Sequence, residues 1–195
     1  MPPIDDTRGV SEVIGVIIIF SFLVIAFTGY QATVVPNQNS QVEAAHYSDV
    51  QGDLAALRGG LITAGQAGST QTVTVSVGTT YPSRLVALNA PPPVGQLRTQ
   101  SVGPGEYISS SLDLGNICGY ETSSMSTSAI VYQPNYNYFE GGDYNHRLES
   151  TLLYQVTGGQ PLVRQTQSLV DPNSKTVSLY PIQGSPDTQA GIEKS

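Results

Sequence analysis

Cysteine, histidine, tryptophan and lysine are scarce or missing in this chain. The single cysteine, Cys118, excludes an internal disulfide and a cysteine-clustered zinc site. Histidine occurs only at His46 and His146, too few for a multi-histidine metal centre. There is no tryptophan, and lysine stands only at Lys175 and Lys194. Charged residues make up 12% of the chain, about half the usual globular share. The formal net charge is −7, which argues against a phosphate backbone as partner, so no nucleic-acid binding is expected. Motifs are missing as well: no Gly-x-Ser-x-Gly turn, no phosphate-cradling glycine loop and no Asn-x-Ser/Thr sequon. Cys118, in Asn116-Ile117-Cys118-Gly119-Tyr120, reads as a small buried apolar residue rather than a nucleophile. No catalytic residue, cofactor or metal ligand is expected, and the chain is read as a non-enzyme.

What the chain does have is a long apolar run near its N-terminus. Residues 13–30, VIGVIIIFSFLVIAFTGY, carry no charge. As a helix they extend about 27 Å, close to the hydrocarbon thickness of a bilayer. Apolar residues lie all round, which excludes an interfacial amphipathic helix. A buried core helix would need more surrounding chain than the polar remainder supplies. A cleaved secretory signal would have a shorter apolar core and a basic front, whereas Asp5 and Asp6 stand here against Arg8. Arg8 precedes the span, and no Lys or Arg follows it until Arg58. The N-terminus is therefore expected in the cytoplasm, and the C-terminal part outside, in a single-pass cell-membrane topology.

The stretch Arg8-Gly9-Val10-Ser11-Glu12-Val13-Ile14-Gly15, running straight into the apolar segment, resembles archaeal type IV pilin-like proteins, those of haloarchaea in particular. The resemblance implies that a prepilin peptidase cuts between Gly9 and Val10, with Arg8 just before the cut, and that the apolar helix is retained. Bacterial pilins carry Glu at the fifth mature position; Glu12 would be third. Further on, Gly78-Thr79-Thr80-Tyr81-Pro82-Ser83-Arg84 and Asn89-Ala90-Pro91-Pro92-Pro93 resemble a haloarchaeal family of unknown function with the same N-terminus. Scarce lysine and an acidic balance fit a high-salt organism.

Beyond the span, Pro36 should kink or break the helix, because it lacks an N–H and crowds the preceding turn. Residues 42–64 read as a second helix, with Val50, Leu54, Leu57, Leu61 and Ala64 on its apolar face and Gly65 as its terminator. Strands are expected at 72–77, whose three valines alternate strictly, and at 84–88, 96–102, 128–133, 151–156, 161–168 and 176–182. Gly158-Gly159 marks a hairpin, and Gly103-Pro104-Gly105 a turn. The expected fold is α+β: a long N-terminal helix, kinked near Pro36, followed by a mainly antiparallel β-rich head, for which a β-sandwich is one form. The expected division is a leader at 1–9, a transmembrane or filament-core helix at 10–34, and a helical part packing on the head at 35–65. An extracellular β-rich domain at 66–184 and a flexible tail at 185–195 complete it.

One dense polar cluster stands out: Tyr136, Tyr138, Glu140, Asp143, Tyr144, His146 and Arg147. It reads either as a cation or glycan site or as a solvated aromatic loop, and the alternating acidic spacing of a calcium loop is missing. His46 reads as an ordinary surface or head-facing side chain.

The leading functional expectation is a pilin-like subunit of a cell-surface filament or complex. Ile14, Ile17, Ile18, Phe20, Leu23, Val24 and Phe27 would be buried first in membrane lipid and then between helices of further copies or other pilin-like subunits. Glu12 would either pair with a neighbour's free amino terminus at Val10 or simply lie exposed at the membrane face. The alternative is a monomeric anchored module whose head binds a cell-envelope component or another protein. An anchored hydrolase has no residue to support it.

Overall fold

The computed structural model describes residues 7–101, 127–140, 144–167, 170–171, 173, 176–178 and 180–182. The fold is α+β, with one long N-terminal helix followed by an antiparallel five-stranded sheet. The helix begins as α1, Thr7–Gly29, passes through a π-helical segment, Tyr30–Val34, and continues as α2, Val35–Ala67.

The expected disturbance near Pro36 takes the form of that π segment. Pro36 has no N–H to give and its ring crowds the carbonyl one turn back. The wider π turn accommodates it, and the Val35 N–H bonds to the Tyr30 carbonyl, five residues back, so the helix is not interrupted. Nor does it stop at Gly65. It runs to Ala67 and ends on Gly68, whose φ of 62° is the left-handed cap conformation, with its N–H on the Ala64 carbonyl.

The sheet is a simple meander of β1 (Gln96–Ser101), β2 (Ser128–Gln133), β3 (Asn145–Glu149), β4 (Leu152–Thr157) and β5 (Gln160–Gln165), in that order. Strand β2 matches its expected bounds. Gly158 and Gly159, both at positive φ, make the expected two-residue β4–β5 turn, with Thr157 paired to Gln160. Strand β3 was not expected; its sequence NHRLE lacks β-branched residues and reads as loop. The short strands β6, Val170–Asp171, and β7, Thr176–Val177, pair with each other, so among the described residues of the expected last strand the first two are in a ladder. Among the described residues a helix, not a second large sheet, covers the face of the meander. Cys118, Asp143, the 103–105 turn and the 185–195 tail lie outside the described residues.

The core forms where α2 crosses the sheet. Val50 and Leu54 meet Tyr132, Leu148 and Leu153, all buried, with Leu57, Leu61, Leu97 and Ile130 at the edges. In register, Leu97 faces Tyr132, Ile130 faces Leu148, and Leu148 faces Leu153, so one row of side chains points at the helix. Arg58 stitches helix to sheet, donating to the carbonyls of Thr151 (2.5 Å) and Thr166 (3.0 Å).

Two expected strands are not ladder strands. Residues 72–77 are extended and their valines do point one way, but toward α2. Val75 and Val77 join the core, and Val73 lies so close to Gly60 that an added Cβ would be 3.1 Å from it. The Ser76 N–H donates to the Asp53 carboxylate at 3.0 Å. The segment is thus a strap running antiparallel to the helix, and its alternation reflects a helix groove rather than a neighbouring strand. A bridge between Gly78 and Val94 closes the loop that follows. Residues 84–88 form the far turn of that loop, with the Ala87 N–H on the Arg84 carbonyl, and not a strand.

Candidate functional site

The apolar helix comes first. The described helix is long and apolar enough to cross a membrane, and none of its most apolar 18-residue window is buried. Ile14, Ile17, Ile18, Phe20, Leu23, Val24 and Phe27 are all exposed, and no part of the described head covers them. Arg8, Gly9 and Val10 lie at the start of α1, and Glu12 is exposed one turn further on. Three hydroxyls along the helix bond back to its own backbone: Ser21 donates to the Ile17 carbonyl (2.7 Å), Thr28 to Val24 (2.8 Å) and, just beyond the run, Thr33 to Gly29 (2.7 Å). Such back-bonding pairs the Ser21 and Thr28 hydroxyls within the helix itself, as hydrocarbon surroundings require.

Directly above this run, α2 buries a stripe made of Val35, Asn39, Glu43, His46, Val50 and Leu54. The spacings of three and four put all six on one face. The upper part is apolar and meets the core. The lower part is polar, and each polar member has a partner brought by a loop.

Glu43, fully buried, is the centre. Its Oε1 accepts the Asn137 N–H at 2.9 Å and the Tyr81 hydroxyl; its Oε2 accepts the N–H groups of Tyr138 (2.9 Å) and Phe139 (2.6 Å). Successive main-chain N–H groups thus form a concave cup around one carboxylate. Asn137 closes the arrangement through its side chain, donating to Tyr81 Oη at 2.9 Å and to the Pro91 carbonyl at 2.8 Å. One turn below, Asn39 accepts from Arg84 at 2.9 Å and donates to Asn89 at 3.2 Å, and Asn89 donates in turn to the Pro82 carbonyl at 3.1 Å. One turn above, His46 Nδ1 meets the Tyr136 hydroxyl at 2.8 Å. Around it Tyr47 packs its ring against Tyr136, Phe139, Tyr144 and His146.

Electrostatics follow from burial. Desolvation lowers the His46 pKa and takes that of His146 down to about 4, the latter helped by the positive charge of Arg164. Desolvation raises the phenols of Tyr47, Tyr132 and Tyr136; Tyr81 is raised by the same cause and then by its bond to Glu43. At neutral pH the cluster therefore holds protonated phenols and neutral imidazoles.

The described side chains of the tyrosine-rich loop pack back onto the head and the helix. Tyr136 turns to His46, Tyr138 stacks edge-on against Tyr81, and Tyr144 and His146 face Tyr47. Glu140 is exposed. Among the described residues no group of three or more His, Cys, Asp or Glu side chains converges as a metal site would. The cluster is a clamp that seats two loops on the helix. Asn39, Glu43 and Asn137 were not singled out from sequence, and Tyr81 and Arg84 stood out only as part of the Gly78–Arg84 resemblance. The readable signal was spacing: Asn39, Glu43 and His46 continue the Val50–Leu54 stripe toward the N-terminus, but polar residues on an apolar face read as solvent-facing.

Comparison with known proteins adds little. No family model matches the chain, and no solved structure matches it. An uncharacterized protein of the archaeon Archaeoglobus fulgidus is 24% identical over 135 residues, covering 69% of this chain and 23% of that protein. The chain thus spans about a quarter of the length of the relative to which it is similar.

Proposed function

We propose that the protein is a pilin-like, membrane-anchored subunit of an archaeal cell-surface filament or complex. The observation that carries this reading is the division of one continuous helix into a bare apolar half and a half seated in a β-rich head. Apolar side chains left exposed around a whole helix need lipid or other apolar helices as surroundings. The same helix can meet both in turn, first as a membrane span and then in a filament core. In this reading a prepilin peptidase removes residues 1–9, the head lies outside the cell, and Glu12 pairs with the freed amino group of Val10 on a neighbouring copy. The back-bonded hydroxyls of Ser21 and Thr28 support burial in either setting. A likeness to an archaeal protein supports the kind of organism.

Mechanical shearing of native cells tests the assembly. A filament subunit appears in the sheared extracellular material together with other copies or other pilin-like chains. Recovery solely with membranes, as a monomer after mild cross-linking, would overturn the filament and leave an anchored binding module.

A further inference from the structure

The loop between the strap and β1 ends in an unusual turn. Its corners, Leu85 and Val86, are exposed, Leu85 completely, and Leu88 beside them is 79% exposed. Turn corners ordinarily carry Gly, Pro, Asn, Asp or Ser, which suit both the backbone and water. Here three large aliphatic side chains cluster at the tip of a loop that is otherwise firmly held. The Gly78–Val94 bridge closes its base, and Arg84 and Asn89 tie its neck to Asn39 of α2.

The position of the tip identifies what covers it. The strap runs down α2 from Gly60 past Asp53 and Glu43 to Asn39, toward the apolar half of the helix. Val35, one turn below Asn39, is 1% exposed, so the head covers the helix at least that far. Val35 is five residues beyond Tyr30, where the apolar run ends, a rise of about 7.5 Å. Interfacial apolar side chains reach about 5–10 Å into the boundary between headgroups and acyl chains. Residues 78–95 also contain no Asp or Glu in a chain of net charge −7, so no carboxylate opposes contact with an anionic surface.

We propose that Leu85, Val86 and Leu88 dip into the membrane interface beside the helix and give the head a second contact with lipid. This rests on the reading that α1 spans a bilayer. With the neck held on Asn39, the inserted tip would fix the tilt of the head over the membrane.

The missing tryptophan makes the test direct, since one introduced residue is then the chain's only tryptophan. Full-length Leu88→Trp, Phe20→Trp and Thr63→Trp variants are reconstituted in phosphatidylcholine–phosphatidylglycerol vesicles, with bromine placed shallow or deep on the acyl chains. Phe20 marks the middle of the span, and Thr63 the exposed far end of α2. The proposal expects blue-shifted Leu88→Trp emission quenched by shallow bromines, Phe20→Trp quenched by deep ones, and Thr63→Trp unaffected by either. Leu88→Trp behaving like Thr63→Trp, while Phe20→Trp is quenched, would overturn the second contact and leave the span standing. Unquenched Phe20→Trp would overturn the spanning reading and this proposal with it. Leu88→Trp shielded from aqueous quencher only at high protein density, and never by brominated lipid, would assign the tip to contact between copies and also overturn the proposal.

Discussion

At the scale of single residues the head hangs on one carboxylate. Glu43 collects four donors from two loops that sequence places about 40 and 95 residues away. Glu43→Gln keeps one acceptor oxygen but turns an NH2 toward N–H groups, leaving buried donors unpaired. A loss of about 3 kcal/mol is expected, read from denaturant unfolding in detergent. Tyr81→Phe removes one donor and leaves Asn137 its Pro91 carbonyl, so a smaller loss of about 1 kcal/mol is expected. Equal losses would mean that the cup of N–H groups is not the main attachment. The histidines add a pH dependence. Unfolded imidazoles take up protons near pH 6.5, while buried His146 resists until about 4, and His46 is shifted the same way. The unfolded state therefore binds more protons in that window. The His146 contribution is flat above about pH 6.5 and falls toward pH 4 by up to about 1.4 kcal/mol per pH unit, and His46 acts in the same direction. Melting curves across that range check it, and His146→Gln should flatten the slope; a profile unchanged by that substitution would contradict the assignment.

At the scale of elements, what sequence reveals depends on whether a pattern has a single physical cause. The apolar run of residues 13–30 was legible as one long apolar helix because an uncharged stretch of that length, apolar on every side, has the length and composition of a candidate membrane span. The β4–β5 hairpin was legible because Gly158 and Gly159 supply the positive φ that its turn demands. The alternation at 72–77 was legible as extended chain, yet a strand and a strap over a helix bury alternate residues in the same way. Asn39 and Glu43 stayed hidden because their burial depends on partners that only the fold brings near, whereas His46 takes the head-facing one of its two expected places. Strand β3 was hidden because its place comes from pairing to β2 and β4, not from propensity. Two element-scale outcomes follow. Ile18→Arg places a charge well inside the apolar run at a cost of about 2.5–3.5 kcal/mol on insertion scales, so it should reduce alkali-resistant membrane retention. Unchanged retention would mean that this run is not the anchor. A head started at Val35 keeps the whole buried stripe, whereas one started at Val42 loses Val35 and Asn39 and should unfold at lower denaturant. Equal midpoints would show that the lower stripe adds no stability.

At the scale of the whole molecule, one continuous helix couples an exposed apolar half to a head clamped at its base. The π turn at Tyr30–Val34 lies between the two, where Pro36 would otherwise break the rod, so the head is joined through helix rather than through a loose linker. That continuity makes the account depend on the apolar helix remaining in the mature protein. The most direct test is the intact mass of the protein extracted from native membranes, with its N-terminal sequence. A chain that begins at Val10 and keeps residues 13–30 is expected. A mature chain beginning beyond Tyr30 would make the run a discarded signal and contradict the account outright.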